Sequence, residues 1–179
     1  TFQVPALATE GTCIVITPLI SLMNDQVDKL RKLNITAYAI HTGLSHAETV
    51  KILDNCIYGK IKFLYIAPER IDSPFFLQKL KQIKISFFTI DEAHCISQWG
   101  HDFRPEYRRI RPIAEEIGMA PIIALTATAP PKVQHDIIKS LGIGDAKVFR
   151  SSFNRLNLYY EVRPKQNATR DIIQILKNN

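Results

Sequence analysis

At 179 residues, with 46% hydrophobic and 22% charged residues, the chain has the size and composition of one domain with a substantial buried core. Only seven glycines and ten prolines exclude collagen-like and low-complexity classes, and its apolar runs (12–17, 62–67, 83–90) fall well short of the roughly 20 residues that span a membrane. Lysine and arginine number 23 against 17 acidic residues, a net charge of +6 that permits a polyanionic partner such as a nucleic acid.

The N-terminus, Thr1-Phe2-Gln3-Val4-Pro5, has neither an initiator methionine nor a signal-peptide layout, so the chain is expected to begin partway through a longer protein. Continuous apolar runs rich in β-branched and aromatic residues predict strands at 12–17, 36–41, 62–67, 86–90, 121–126 and 147–153, buried on both faces. Helix-period segments lie between them. In the first, Leu19, Leu22, Met23, Val27, Leu30 and Leu33 share a stripe opposite Asp25, Asp28, Lys29 and Lys32. Further helices are predicted at 45–57, 74–80, 105–117, 131–141 and 168–176, with Thr128 as N-cap of the fifth and Pro130-Pro131 tolerated in its opening turn. Strand and helix alternate without repeat or linker, which predicts a mostly parallel α/β sheet covered on both faces. The three cysteines, Cys13, Cys56 and Cys95, form no CxxC pair, so no disulfide framework or zinc site is expected and a reducing cytosol or nucleus fits.

Ligands of such sheets bind at the carboxyl ends of the strands. There the sequence reads Thr17-Pro18-Leu19, His41-Thr42-Gly43, Pro68-Glu69-Arg70, Asp91-Glu92-Ala93-His94 and Thr126-Ala127-Thr128. Two adjacent carboxylates directly after the run 87–90 suit phosphoryl chemistry: one holds Mg²⁺ while the next activates a water. The plainer reading of the pair is the solvated start of a loop. Beyond it, Trp99, Phe103 and Tyr107 are interleaved with Arg104, Arg108, Arg109 and Arg111, and His101 lies between the first two aromatics. Aromatic faces stack on unpaired bases and arginines neutralise phosphates, although the same aromatics could simply cover the core beneath a loop.

Asp91-Glu92-Ala93-His94 followed by Cys95-Ile96-Ser97-Gln98-Trp99-Gly100-His101-Asp102-Phe103-Arg104-Pro105-Glu106-Tyr107 resembles the Walker B motif and aromatic-rich loop of RecQ-family DNA helicases, in superfamily 2. The segments 15–27, 65–70 and 124–129 resemble that family's motifs Ia, Ib and III, in the same order. The resemblance implies a RecA-like three-layer sandwich of the P-loop NTPase class, with residues 1–179 the greater part of the first of two lobes. It implies an ATP-driven, Mg²⁺-dependent motor that moves 3′ to 5′ on single-stranded DNA and unwinds duplexes in recombination and repair, in the bacterial nucleoid or the nucleus. On the matching positions, Asp91 would handle Mg²⁺ and Glu92 would activate water. His94 and Gln98 would link the nucleotide site to DNA, and Thr126 and Thr128 would couple hydrolysis to movement. Trp99, His101, Phe103 and Arg104 would form a DNA sensor, while Ser21, Gln26 and Arg70 would grip the DNA backbone. For Arg70 the plainer reading is a surface ion pair with Glu69.

The sequence departs from the family pattern in two ways. No glycine opens the phosphate-cradling pattern GxxxxGK[ST], and in the family that loop immediately precedes a segment resembling 2–7. The 179 residues alone are therefore expected not to hydrolyse ATP. A second RecA-like lobe is expected to follow in the same polypeptide. Finally, Phe153-Asn154-Arg155-Leu156-Asn157 resembles a family segment in which proline stands where Leu156 does. The alternative reading is a nucleic-acid-binding module that has lost hydrolysis, and a further one is an interaction domain with a basic surface.

Overall fold

The computed structural model describes residues 1–71, 73–118, 120–151, 157–159, 161–162, 164 and 167–177. In chain order the elements are α1 (Gln3–Ala8), β1 (Thr12–Ile16), α2 (Ile20–Lys32), β2 (Ala37–Ile40), α3 (His46–Ile57), β3 (Phe63–Ile66), α4 (Pro74–Leu80), β4 (Ile85–Ile90), α5 (Ile110–Glu116), β5 (Ile122–Ala124), α6 (Pro131–Leu141) and α7 (Ala168–Lys177). The chain divides into two compact units, Thr1–Ala146 and Lys147–Asn179.

In the first unit the five strands pair in parallel in the order β2-β3-β1-β4-β5. Side chains alternate across the pleat, so each strand feeds two cores. Ile14, Ile16, Leu64, Ile66, Phe88 and Ile90 meet α3, α4, α5 and α6 on one face. Cys13, Val15, Phe63, Tyr65 and Phe87 meet α1 and α2 on the other. That division follows from right-handed crossovers: α2 carries the chain leftward from β1 to β2, whereas the next connections all run rightward. The loops leaving β1 and its neighbour β4 therefore part to opposite faces. The carboxyl ends of β1 and β4 are thus the topological switch point of the sheet, the place where open α/β sheets take ligands.

Several expectations are corrected. The stripe of α2 is narrower than predicted: Met23, Val27 and Leu30 are buried, but Leu19 and Leu33 cap the helix from outside and are exposed. The predicted helix 105–117 is a 3₁₀ segment, Pro105–Arg109, followed by α5. A helix begun at residue 105 would place Pro112 in its interior, where it breaks a hydrogen bond; begun at Ile110, the proline falls in the first turn, where no bond is lost. Pro130, not Thr128, caps α6, and α1 forms where no helix was expected. Residues 147–151 adopt no strand, and the rest of that predicted strand lies outside the described residues, as does Arg155. In the second unit, α7 forms as predicted, within a residue at its end, with Ile172, Ile173 and Leu176 exposed. Among the described residues no helix is long and apolar enough to cross a membrane.

Candidate nucleotide and nucleic-acid site

The ladder continues past the end of β4 and fixes the backbone from Asp91 to Ala93. Asp91 N–H donates to Ile16 at 2.8 Å, Leu125 N–H to Ile90 at 2.9 Å, and Ala93 N–H to Leu125 at 2.8 Å. Glu92 lies between these anchored residues in the left-handed region, at φ 49° and ψ 44°. Such a conformation in a non-glycine residue costs on the order of 1–3 kcal/mol and persists only where surrounding structure enforces it. It lets the Glu92 amide donate to Asp91 Oδ1 at 3.0 Å and brings Glu92 Oε2 to 3.2 Å from His94 Nδ1.

His94 is the hub of the site. Buried at 4% exposure, it places Nδ1 3.0 Å from Thr126 Oγ1 as well as beside Glu92, and its ring stacks on His101 with centroids 4.2 Å apart. Thr126 Oγ1 in turn accepts from the Thr128 amide and donates to the Thr128 carbonyl. The Nδ1–H thus faces two acceptors, the carboxylate of Glu92 and the hydroxyl of Thr126. Burial, then the neighbouring His101, lowers the His94 pKa against the opposing pull of Glu92, Asp102 and Asp91.

A histidine pKa lowered on folding means that the unfolded chain binds the proton more readily. Its stabilising contribution is full above the ordinary value of 6.5 and declines as pH falls below it. Melting temperatures measured from pH 8 to pH 5 are expected to fall more steeply below 6.5 in the wild type than in His94→Gln. Parallel curves would show that His94 does not resist protonation in the fold.

The aromatic-rich loop is held from below while its tip stays open. Arg104 N–H donates to Cys95, Ser97 Oγ donates to Asp136 of α6 at 2.6 Å, and Trp99 N–H donates back to Ser97 Oγ. Gly100 passes so close that a Cβ there would lie 2.5 Å from the His94 carbonyl oxygen. Trp99 is 69% exposed, with Lys132 Nζ 4.9 Å from its ring centroid; Phe103 is half-buried under the Arg108 guanidinium. Tyr107 is fully buried, and its hydroxyl donates to the Asp91 carbonyl at 3.0 Å.

Other predicted residues fall into different surroundings. Gln98, His101, Ser21 and Thr128 are exposed. Arg104 braces three loops, reaching Asp102, the Pro18 carbonyl and Glu69. Glu69 therefore pairs with Arg104 rather than with Arg70, whose guanidinium donates to the carbonyls of His41 and Leu44. Gln26 lies against Asp91 and Tyr65. Sequence reasoning gave no role to Tyr65, Lys132 or Asp136, because nothing in their local spacing signals the elements they meet.

For a metal, Asp91 is the candidate ligand. Mg²⁺ is bound through one or two carboxylates together with waters and substrate phosphates, so one half-exposed carboxylate at the switch point is a fitting donor. Beside it, after β1, the Thr17 hydroxyl is buried without a hydrogen-bond partner, a polar atom suited to a water or ligand. The described residues hold no cluster of three ligating side chains, so Asp91 would need oxygen donors from elsewhere.

Parallel order, a two-sided core and a switch point between β1 and β4 define a RecA-like α/β domain. The helicase domain of Hef from Pyrococcus furiosus has the same fold, with a TM-score of 0.56 over 77% of this chain and 29% of that one, at 21% identity. Residues 1–137 match the DEAD/DEAH box helicases, and the chain belongs to that family. The likeness to RecQ helicases holds along nearly the whole chain. It is 46% identical over 99% of its length to the ATP-dependent DNA helicase RecQ of Bacillus subtilis, and 40% identical over 96% to that of Haemophilus influenzae. Over 99% of its length it is 39% identical to ATP-dependent DNA helicase Q1 of Rattus norvegicus. The chain spans 30%, 28% and 30% of these proteins, respectively.

Proposed function

We propose that the chain is the Mg²⁺-handling and water-activating part of an ATP-dependent DNA helicase that moves 3′ to 5′ on single-stranded DNA. Residues 1–179 belong to its first RecA-like lobe, working against a second lobe of the same polypeptide. The observation that carries this reading is the contact chain from loop to carboxylate: His101 stacks on His94, and His94 touches both Glu92 and Thr126. A change at the loop thus reaches the Glu92 carboxylate through one buried ring.

When bound at Asp91, Mg²⁺ would screen phosphate charge in the transition state. Glu92 accepts the proton of the attacking water, and His94 orients the Glu92 side chain through Nδ1–H. Gln98, Thr126 and Thr128 carry the response to DNA. Trp99 and Phe103 meet unpaired bases, and Ser21 in the first turn of α2, Arg70 after β3 and Arg104 in the aromatic-rich loop serve the backbone path. With no phosphate-cradling loop among its residues, the 179-residue chain alone does not turn over ATP.

The test is unwinding by the full-length protein of duplexes carrying a single-stranded tail. Opening of 3′-tailed substrates, dependent on ATP and Mg²⁺, is the expected result. Opening of 5′-tailed substrates only would overturn the direction. DNA binding without ATP turnover would favour the non-hydrolysing module.

A further inference from the structure

We infer that Gln26, on α2, is a positioning residue for the Asp91 carboxylate, held in its working orientation by Tyr65 of β3. The inference rests on the nucleotide reading of the site and assigns Gln26 a different partner from the DNA backbone. Gln26 Oε1 lies 3.0 Å from the Tyr65 hydroxyl and Nε2 lies 3.4 Å from Asp91 Oδ2. The three residues come from separate elements, 39 and 65 positions from Gln26, so the fold alone assembles them.

Donor and acceptor chemistry fixes the direction of this chain. The Asp91 carboxylate oxygen accepts from the NH₂ of Gln26. That leaves the amide oxygen toward Tyr65. Tyr65 is completely buried, and burial pushes its pKa up to about 12, so its hydroxyl keeps the proton it donates to Gln26. Turning the amide over would set its oxygen against the carboxylate and leave the tyrosine proton facing an NH₂.

Both oxygens of Asp91 are then fixed. Oδ1 accepts from the Glu92 amide and Oδ2 accepts from Gln26. Each oxygen keeps further acceptor capacity for a cation or its waters, while rotation of the carboxylate is restrained. Groups that orient a metal-binding carboxylate from behind matter measurably: their loss typically weakens metal affinity about 10–100-fold. Gln26 itself is half-buried behind Asp91.

The experiment measures affinity of the full-length protein for a non-hydrolysable ATP analogue, with and without Mg²⁺, in wild type, Gln26→Leu, Tyr65→Phe and the double variant. The ratio of the two affinities reports the metal's contribution. In Gln26→Leu that ratio is expected to fall about 10-fold, with metal-free nucleotide affinity and single-stranded DNA affinity unchanged. Tyr65→Phe, which removes one oxygen, is expected to lower the ratio by a smaller factor and to add nothing in the Gln26→Leu background. An unchanged ratio in Gln26→Leu overturns the inference. So does a loss of DNA affinity with the ratio intact, which returns Gln26 to the DNA backbone. If Gln26→Leu does not fold, an unchanged ratio in Tyr65→Phe overturns it equally. A wild-type protein whose nucleotide binding ignores Mg²⁺ would instead remove the nucleotide reading itself, and the inference with it.

Discussion

Glu92→Gln in the full-length protein is expected to lower DNA-stimulated ATP turnover by about 10²–10⁴-fold, the usual cost of removing one general base, while nucleotide affinity stays close to that of the wild type. The amide keeps the shape of the side chain and can still accept the His94 Nδ1–H that lies 3.2 Å from Glu92 Oε2. What it cannot do is take a proton from water. The left-handed backbone at residue 92 is set by the ladder bonds on either side, through Asp91 to Ile16 and Ala93 to Leu125, so the substitution leaves the turn in place. Phosphate release and nucleotide binding, measured on the same preparation, check the prediction. An unchanged turnover rate would remove Glu92 from the chemistry.

A pair of truncations separates the two kinds of aromatic in the loop. Trp99→Ala is expected to leave stability within about 0.5 kcal/mol of the wild type, as surface substitutions do, because the indole is 69% exposed. It is expected to weaken single-stranded DNA binding by about 1–3 kcal/mol, the range for one base stacked on an aromatic face. Tyr107→Ala is expected to do the reverse. Its ring is fully buried and its hydroxyl holds the Asp91 carbonyl, so truncation should destabilise the fold by about 3–5 kcal/mol, as for large aromatics in packed cores. Thermal melts and oligonucleotide binding by fluorescence anisotropy read both effects. A large loss of melting temperature in Trp99→Ala with normal DNA binding would make the indole a packing residue after all.

Much of this molecule was legible in one dimension. Apolar runs of β-branched residues located all five strands of the sheet, because strands buried on both faces carry a continuous signal that needs no partner to be read. The helix expected over 45–57 begins at His46, where the structure shows Ser45 and Glu48 forming a reciprocal cap three residues apart. The acid pair and the aromatic loop could be singled out as candidates because their signal resides in neighbouring residues.

What the sequence could not determine is which distant side chains each of those residues meets. Helical periodicity alone extended α5 back to residue 105, whereas the structure begins it at Ile110, where Pro112 costs no hydrogen bond and Tyr107 can turn inward to Asp91. Thr128 has the chemistry of a helix cap, yet its amide is bonded to Thr126, which itself answers to His94. Nothing along the chain tells that Arg104 also meets the loops after β1 and β3, through the Pro18 carbonyl and Glu69. Gln26, Tyr65 and Asp91 carry no mutual signal along the chain. They meet because parallel pairing brings the carboxyl ends of neighbouring strands together and α2 packs on the face to which Tyr65 points. Sequence determines what each residue can donate, accept or bury; only the crossing of distant elements decides which of those capacities is used.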